Sequence, residues 1–365
     1  MTVDPSHMRA ALGLARRHVG HTWPNPSVGC VIVKDGRVVG RGVTAPSGRP
    51  HAETQALAMA GEAARGATAY VTLEPCCFHG RTPPCTDALI AAGIARVVVA
   101  TNDPDPRVNG AGVRRLLEAG IDVVHGLLAE EAREMAAGLF HRIEQNRPLV
   151  TLKLATTLDG RIATHTGESQ WITGPQARRH SHSLRGRADA VMVGVGTVLA
   201  DNPELTCRIP GYKPVPLIRV VADSHLRTPL TSKLVASARQ TPLWLIARDD
   251  ADRARARALK ELGVSVIPAA AAEGGIDLAR ALRAMAGLGI TRVLAEGGAS
   301  LAASLLRADL VDRIAWYHAP AVMGGDGLAA SSALGRDHLD AMPRFRRVAV
   351  TALGEDMLTE LRRAA

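Results

Sequence analysis

The sequence is poor in aromatic residues, cysteine and lysine, and it contains no apolar run long enough to cross a membrane. Aromatic residues make up 3% of the chain, which leaves few platforms on which nucleic-acid bases could stack. The five cysteines are too few and too unevenly spread for a secreted disulfide scaffold, so they favour a reducing cytoplasm. The first twenty residues lack the pattern of a signal peptide, and we expect none. These absences predict a cytoplasmic globular protein.

The net charge of +9 invites a nucleic-acid hypothesis, which the distribution of the charge does not favour. Only five of the 44 basic residues are lysines, and this excess of arginine in an alanine- and glycine-rich chain indicates coding bias. The densest basic segment, 252–262, has helical spacing and acidic residues at both ends, which is typical of a solvated helix. We therefore expect no nucleic-acid partner, although a few arginines could bind a small phosphorylated ligand.

Strand and helix patterns alternate through two successive series, which predicts two α/β domains, 1–146 and 147–365. The first series includes a hairpin at Asp35-Gly36, a helix that starts near residue 51, a helix over residues 85–93 and a helix over about 129–144. Asn146-Arg147-Pro148 is a plausible linker. The second series starts with the strand LVTLKLATT and includes a strand, a glycine turn and a helix in TRVLAEGGASLAASLLRA.

Three of the five cysteines lie within the stretch EPCCFHGRTPPC, residues 74–85. Upstream, RPHAE supplies His51 at the start of a predicted helix. A catalytic zinc ion needs three protein ligands and one open position for water, and His51, Cys76 and Cys85 meet that count. Cys85 opens a predicted helix, whose dipole stabilises a thiolate. Cys77 could replace Cys76, but the Pro75-Cys76 pair favours Cys76.

Glu53 lies two residues from His51 and is our candidate general base for a metal-activated water. A closed zinc site, or buried cysteines with no metal, remain as alternatives. Cys30 lies in a strand pattern and Cys207 in a loop, and we interpret both as packing or incidental residues.

The second domain carries two glycine-rich turns of unequal value. GVGTVLA lacks the third small residue of a dinucleotide fingerprint and is a weak signal. In EGGASLAASLL, a strand delivers Glu296, the glycines permit close approach, and a helix N-terminus follows, a combination that can bind phosphate. A glycine turn without a ligand remains open. We interpret His180 and His182 as exposed residues without a role.

Several segments of the first domain resemble one family of known enzymes. His-Ala-Glu followed by Pro-Cys and a second cysteine is the signature of zinc nucleoside and nucleobase deaminases. The longer cysteine spacing, together with TWPNPSVGCVIV, RPHAE, TLEPC, GRTPPCTDALI and DPDPRVNGAG, is similar to the bifunctional riboflavin biosynthesis enzymes. These combine a diaminohydroxyphosphoribosylaminopyrimidine deaminase with a 5-amino-6-(5-phosphoribosylamino)uracil reductase. In the second domain, TLKLATTLDGRIA, TGESQWITG, GVGTVLADNPELTCR, VADS and AEGGASLA resemble the reductase domain of the same family.

The resemblance implies a cytidine-deaminase-like three-layer α/β/α fold for the first domain. It implies one zinc ion and hydrolytic deamination of 2,5-diamino-6-(5-phosphoribosylamino)pyrimidin-4-one, with Asn25, His79 and Arg81 as substrate contacts. The family usually has histidines where this chain has Thr44 and Phe78, and His79 could substitute in part for the second of them.

For the second domain the resemblance implies a dihydrofolate-reductase-like α/β fold that uses NADPH to reduce the ribosyl group to a ribityl chain. The implied cofactor contacts are Ala155, Trp171, Thr197, Asp201, Ser224, Gly298, Ala299, Ser300, Leu301, Ala302, Ala303 and Ser304. The implied substrate contacts are Lys153, Ser169, Arg185, Leu205, Arg208 and Glu296, of which Arg185 and Arg208 suit a sugar phosphate.

Family members commonly form dimers or tetramers, so a homo-oligomer is expected. Three other functions remain open at this point: a reductase with an impaired deaminase domain, a nucleic-acid or nucleoside deaminase, and a zinc-stabilised binding module without catalysis.

Overall fold

The computed structural model describes residues 3–272 and 275–364, and the chain divides into two compact units, 1–146 and 147–365. Each unit has its own main sheet, of five strands in the first unit and nine in the second. Strands alternate with helices in both units, as the sequence patterns predict.

The first unit contains six α-helices, two short 3₁₀ helices (Pro46–Gly48 and Gly61–Ala64) and five strands within its described residues. The helices are α1 Pro5–His18, α2 Ala52–Ala60, α3 Cys85–Ala91, α4 Ala111–Glu118, α5 Ala129–Met135 and α6 Ala137–Glu144. The strands are β1 Gly29–Lys34, β2 Arg37–Val43, β3 Thr68–Val71, β4 Arg96–Val99 and β5 Asp122–His125. They form a sheet in the order β2-β1-β3-β4-β5, in which β1 is antiparallel to both neighbours and β3, β4 and β5 are parallel.

Both faces of this sheet are covered, because side chains alternate along each strand. Cys30 and Ile32 of β1 pack in one cluster with residues of α2, α3 and α4. Val31 and Val33 pack on the opposite face with residues of α1 and α5. Helices therefore lie on both sides of the sheet, which confirms the predicted three-layer α/β/α arrangement.

Of two local predictions for this unit, the hairpin is confirmed and the single C-terminal helix is not. The hairpin between β1 and β2 turns at Asp35 and Gly36, which have φ angles of 49° and 74° and so take the left-handed conformation that this dipeptide favours. The prediction of a single helix over residues 129–144 was wrong, because the structure has two helices that are separated by a break at Ala136 (φ −84°, ψ 8°).

The second unit contains six α-helices, one short 3₁₀ helix (Leu339–Ala341) and thirteen strands within its described residues. The helices are α7 Pro175–Gly186, α8 Val195–Asp201, α9 Lys233–Ala236, α10 Arg253–Glu261, α11 Leu278–Gly287 and α12 Ala299–Arg307. The strands are β6 Leu149–Thr156, β7 Arg161–Ala163, β8 Ala190–Gly194, β9 Ile218–Ala222, β10 Leu243–Arg248, β11 Ser265–Ala269, β12 Ala271–Ala272, β13 Gly275–Ile276, β14 Arg292–Ala295, β15 Arg313–His318, β16 Leu328–Ala329, β17 Phe345–Leu353 and β18 Asp356–Arg363.

Nine of these strands form the main sheet, in the order β11-β10-β9-β8-β14-β6-β15-β18-β17. The seven strands from β11 to β15 pair in parallel, so their carboxyl ends share one edge of the sheet. The hairpin of β17 and β18 is antiparallel. Since β14 lies between β8 and β6, the residues that follow these three strands converge at that edge.

Within 3–272 and 275–364, no helix has both the length and the apolar character needed to span a bilayer.

Candidate active sites

Three ligand-type side chains of the first unit converge beside the sheet. His51 caps the N-terminus of α2, Cys85 is the first residue of α3, and Cys76 lies in the segment between β3 and α3. Their ligand atoms all lie within 4.8 Å of one another. The His51 Nδ1 atom is 3.3 Å from the Cys85 sulfur and 3.7 Å from the Cys76 sulfur.

These distances fit a tetrahedral zinc ion. With the usual zinc–sulfur and zinc–nitrogen bond lengths, a nitrogen and a sulfur ligand stand about 3.6 Å apart. One imidazole and two thiols are also a donor set that zinc prefers. Cys77 is not part of the cluster, because its thiol points to the Arg107 carbonyl oxygen at 3.5 Å.

Hydrogen bonds between the ligands shift their pKa values. A hydrogen bond from the Cys85 thiol is the largest influence that lowers the pKa of Cys76, to about 4, and it raises the pKa of Cys85 in turn. The backbone N–H of Cys85 also donates to the Cys76 sulfur at 3.3 Å. The hydrogen bond to Cys76 raises the pKa of His51. The site therefore favours a thiolate at Cys76, the protonation state that binds a metal.

Glu53 is buried next to this cluster, with 4% of its surface exposed. Burial is the first cause that raises the pKa of its carboxyl group to about 7, and the charge of Cys76 is the second. A carboxyl group whose pKa lies near neutrality can both accept and return a proton, which suits a general acid–base residue.

The predicted substrate contacts of the first unit occupy different positions. Asn25 reaches the cluster, because its Nδ2 atom donates to the Gly48 carbonyl oxygen at 2.9 Å and lies 3.3 Å from His51 Nε2. It therefore contacts the ring nitrogen of His51 that is not next to the sulfurs. His79 and Arg81 lie exposed on the loop before α3, and their roles stay predictions.

The two residues that replace family histidines have structural contacts. The buried Thr44 hydroxyl oxygen accepts the Val28 backbone N–H at 2.9 Å. The Phe78 ring lies under the Arg107 guanidinium, with 4.3 Å from the Arg107 Cζ to the ring centroid. Arg107 also binds the Asp105 carboxylate, at 2.6 Å for the shortest contact.

Sequence reasoning missed Glu74, which fixes the loop over residues 102–113. Its buried carboxylate accepts the backbone N–H groups of Asp103 at 3.3 Å, Gly110 at 2.9 Å and Val113 at 3.1 Å. A Cβ on Gly112 would lie 2.2 Å from the Pro75 carbonyl oxygen, so glycine is required for this close approach. The loop brings Asp103 toward the cluster, where burial raises the pKa of its carboxyl group to about 6.

The second unit contains a cavity of about 1640 Å³ at the carboxyl ends of its parallel strands. It is lined by every predicted cofactor and substrate contact of this unit except two alanines: Lys153, Ala155, Ser169, Trp171, Arg185, Thr197, Asp201, Leu205, Arg208, Ser224, Glu296, Gly298, Ala299, Ser300, Leu301 and Ser304. Ala302 and Ala303 are buried on the inner side of α12 and do not line it.

Three charged residues meet where β6 and β14 lie side by side. Glu296 follows β14, and its side chain is 6% exposed. It forms a bidentate ion pair with Arg185 of α7, with contacts of 2.6 and 2.9 Å. Burial lowers the pKa of Lys153 on β6, and the opposing Glu296 charge partly compensates. Arg185 is therefore already neutralised by a carboxylate, which the sequence did not reveal.

The predicted phosphate-binding turn connects β14 to α12. Gly297 and Gly298 have φ angles of 134° and 82°, and Gly298 caps the helix. A Cβ on Gly298 would lie 3.2 Å from the Thr197 hydroxyl oxygen, so a larger residue would intrude on the space between the turn and α8. The turn, the open N-terminus of α12 and the cavity volume fit the phosphates of a dinucleotide such as NADPH.

A smaller cavity of about 540 Å³ shares Lys153, Arg185, Arg208 and Glu296 with the first. His182 and Tyr317 also line it. His180 and His182 were expected to be exposed, but both are partly buried: His180 Nδ1 lies 2.8 Å from the Tyr317 hydroxyl, and His182 Nδ1 accepts the Arg208 backbone N–H at 3.1 Å. That they have no role in binding or catalysis stays a prediction. These contacts cross 137 and 26 residues of sequence, so local spacing could not show them.

Two family models match the chain, one in each unit. Residues 1–101 match the cytidine and deoxycytidylate deaminase zinc-binding region, and residues 148–359 match the RibD C-terminal domain.

Curated relatives align over nearly the whole chain. The riboflavin biosynthesis protein RibD of Aquifex aeolicus is 44% identical over 361 residues, covering 99% of this chain and 99% of the relative. The protein of the same name from Escherichia coli is 42% identical and covers 98% and 99%.

Solved structures agree with these matches. Acinetobacter baumannii RibD superposes with a TM-score of 0.89 at 36% identity and covers 99% of both chains. A Thermotoga maritima protein titled diaminohydroxyphosphoribosylaminopyrimidine deaminase/5-amino-6-(5-phosphoribosylamino)uracil reductase has a TM-score of 0.85 at 33% identity, over 99% of this chain and 98% of its own.

Proposed function

The chain belongs to the family of bifunctional RibD deaminase/reductases of riboflavin biosynthesis, and on that premise we propose that unit 1–146 removes an amine and unit 147–365 reduces the sugar. The predicted cytidine-deaminase-like and dihydrofolate-reductase-like folds, and the use of zinc and NADPH, are confirmed at the level of the family. Its substrate is a small phosphorylated pyrimidine, and we propose 2,5-diamino-6-(5-phosphoribosylamino)pyrimidin-4-one. A nucleic-acid deaminase is not favoured, because the relatives match both units.

For the first unit we propose His51, Cys76 and Cys85 as the zinc ligands and Glu53 as the catalytic acid–base. Zinc, when bound, lowers the pKa of water and so supplies a nucleophile near neutral pH. Glu53 accepts a proton from the water as its oxygen bonds to the ring carbon, and returns the proton to the amine as the carbon–nitrogen bond breaks. The second proton of the water moves from the new hydroxyl group to the adjacent ring nitrogen, so water and substrate become ammonia and the ring carbonyl product. The buried carboxylate with a pKa of about 7 supports this role.

For the second unit we propose that the cavity holds cofactor and deaminated product together. NADPH, when bound, would supply the hydride that reduces the ribosyl carbon, and a proton from water would go to the ring oxygen as the sugar opens to a ribityl chain. The glycine turn at Gly297 and Gly298 binds the cofactor phosphates, and the remaining predicted contacts line the cavity around it. Lys153 and the Arg185–Glu296 pair orient the substrate at the edge where β6 and β14 meet.

Arg208 suits the phosphate of the substrate better than Arg185. Arg208 lines both cavities, and its ion pair with Glu204 is long, at 4.0 Å, and exposed. Arg185 is held by Glu296 and by the Thr206 carbonyl oxygen at 2.8 Å, so it keeps fewer free donors.

The observation that carries the deaminase proposal is the buried Glu53 beside three converging zinc-type ligands. The test is mass spectrometry of the diaminopyrimidinone phosphate after incubation with the zinc-loaded protein, with and without NADPH. We expect loss of the amine without NADPH and a gain of two hydrogens only after NADPH is added. Reduction of pre-deaminated substrate without any deamination would instead establish a reductase whose first unit is inactive.

We also propose that the chain forms a homo-oligomer in the cytoplasm. Strand β17 ends the nine-stranded sheet, and its Val348 and Val350 are 45% and 49% exposed, which supports a contact with a second copy. The free cysteines support a reducing compartment. Light scattering after size-exclusion chromatography tests the proposed homo-oligomer, and a molar mass equal to that of one chain would contradict it.

A further inference from the structure

The smaller cavity of the second unit is lined both by α7 and by the segment that follows α8. His182 of α7 and Arg208 of that segment are among its lining residues. We call residues 202–208 the Arg208 loop. This loop forms neither helix nor strand, so contacts with its neighbours determine its conformation.

Three hydrogen bonds with α7 hold the last three residues of the Arg208 loop. The Arg208 backbone N–H donates to His182 Nδ1 at 3.1 Å, and the Cys207 thiol donates to the His182 carbonyl oxygen at 3.2 Å. The Thr206 carbonyl oxygen accepts Arg185 Nη1 at 2.8 Å. His182 and Arg185 are three positions apart and therefore lie on the same side of the helix. The backbone from which the Arg208 side chain extends is thus fixed by α7.

The imidazole of His182 can accept this hydrogen bond only when Nδ1 carries no proton, which places the proton of the neutral ring on Nε2. Burial is the first cause that lowers the pKa of His182 to about 4, and the charges of Arg185 and Arg208 follow. The charge of Glu296 and the Thr206 carbonyl oxygen act in the opposite direction. The surroundings therefore keep the ring in the neutral form that binds the Arg208 N–H.

The guanidinium group of Arg208 remains available to a ligand. It lines both cavities, and its ion pair with Glu204 is long, at 4.0 Å, and exposed. An arginine side chain loses conformational freedom when it binds a ligand, and this loss weakens binding. A backbone that is already fixed reduces the number of positions from which the guanidinium must be ordered. The contact with His182 should therefore strengthen whatever bond Arg208 makes with the substrate.

We propose that His182 is a positioning residue of the reductase site, which supports substrate binding by holding the backbone of Arg208. The inference rests on the proposed reduction by this unit and on Arg208 as a substrate contact. For His182 it departs from the prediction that the sequence alone suggested. His182 itself contacts neither the substrate nor the cofactor, so its loss should raise the KM for the substrate and leave the hydride step unchanged.

Steady-state reduction of the deaminated substrate by the full-length, zinc-loaded protein tests this role. His182→Ala should raise the KM for that substrate about tenfold, because a misplaced Arg208 loses most of one charge-assisted contact. The kcat and the KM for NADPH should stay within about twofold, which shows in the same experiment that the variant is folded. His338→Ala is the matched control, since His338 is exposed and lines neither cavity, and it should change none of these constants.

Two conservative variants separate the contributions of the two ring nitrogens. The amide oxygen of asparagine can accept a hydrogen bond at the position of Nδ1, whereas the longer glutamine places its amide at the position of Nε2. His182→Asn should therefore restore the KM to within about threefold of the unmodified protein. His182→Gln should resemble His182→Ala.

A double variant shows whether His182 acts through Arg208. Arg208→Ala alone should raise the KM for the substrate by more than His182→Ala does, because it removes the charge itself. Adding His182→Ala to Arg208→Ala should raise the KM by less than about a further twofold, since residues that act as one unit are not additive.

Nuclear magnetic resonance of the ¹⁵N-labelled histidine rings reports the tautomer directly. The signals of His182 are assigned by their absence in His182→Asn. From about pH 5.5 to about pH 8 the ring should carry its proton on Nε2 and none on Nδ1.

Four results would overturn the proposal. An unchanged KM for the substrate in His182→Ala, or an equal rise in the KM for NADPH, would mean that His182 has no specific effect on substrate binding. Additive effects in the double variant would show that His182 acts independently of Arg208. A proton on Nδ1 would exclude the hydrogen bond that the role requires. Failure of the unmodified protein to reduce the deaminated substrate would contradict the reductase assignment itself, on which the role of His182 depends.

Discussion

The zinc-type cluster of the first unit and the cavity of the second differ in how many residues carry their chemistry. Three side chains within 4.8 Å and one buried carboxylate define the first site. The second spreads over a cavity of about 1640 Å³, and its central charges, Arg185 and Glu296, neutralise each other. Deamination depends on one proton carrier, so a single substitution of that residue should abolish most of the activity. The reductase site orients two large ligands through many residues, so each single substitution there should reduce the activity only in part.

The largest effect that this comparison predicts is that of Glu53→Gln. The amide keeps the shape of the side chain but cannot carry the proton, so deamination should fall by about 10²- to 10⁴-fold. Ammonia release measures the loss, and metal analysis should still find one zinc per chain. Glu62→Gln, at an exposed position of the same unit, is the matched control and should keep full activity. Near-normal deamination in Glu53→Gln would remove the distinction between the two sites.

Glu296→Gln should reduce both the stability of the second unit and its reductase activity. Arg185 would stay buried without its carboxylate, at a cost of about 3 kcal/mol. Hydrogen exchange of the β14 amides measures the stability, and NADPH oxidation measures the activity. Asp309→Asn breaks the ion pair of Arg363 with an aspartate that is 74% exposed and should cost less than about 1 kcal/mol. Equal effects of the two variants would show that the buried pair has no special importance.

Glu74→Gln should produce a smaller effect, confined to the first unit. The neutral amide loses the charge-assisted character of three hydrogen bonds, so the Gly110 and Val113 amides should exchange about tenfold faster. The zinc content should stay at one per chain, because the loop carries none of the proposed zinc ligands. Glu118→Gln, at the exposed end of α4, provides the control. An unchanged exchange rate in the loop would contradict the role of Glu74.

The smallest expected effect is the pH dependence of Lys153→Met. Burial lowers the pKa of Lys153 below 10.5, with Glu296 opposing the shift and Arg185 adding to it. The unfolded chain therefore binds more protons between the two pKa values, so the lysine costs stability at pH 7 and this cost disappears as the pH approaches 10.5. The variant should be more stable than the parent at pH 7, and the difference should shrink at alkaline pH in thermal melting. A difference that grows with pH would mean that Lys153 is stabilised as a cation.

The cluster of zinc-type ligands could be predicted from sequence because the chemistry of zinc restricts the type and the order of the residues. His51, Cys76 and Cys85 are ligand-type residues at helix starts or beside a strand, and few other arrangements satisfy zinc. The residue that holds the neighbouring loop in place could not be predicted in the same way. Nothing local distinguishes Glu74, which turns inward to bind a loop almost 40 residues away, from an ordinary surface carboxylate.

In the second unit, the turn at Gly297 and Gly298 was predictable, because glycines between a strand and a helix indicate a tight turn that leaves backbone N–H groups open to a ligand. The pairing of Glu296 with Arg185 was not, since it spans 111 residues and depends on β14 entering the sheet between β8 and β6. The break at Ala136 escaped prediction for a related reason: alanine favours helix locally, and packing of α5 and α6 against opposite clusters outweighs that preference.

The division of the chain at residues 146 and 147 has a consequence for the supply of the two catalysts. Each unit completes its own main sheet, so neither needs a strand from the other. One translated chain then delivers deaminase and reductase in equal numbers, whatever the level of expression. A cell that makes this polypeptide cannot accumulate one activity without the other, and the ratio of the two steps can be tuned only through their turnover rates.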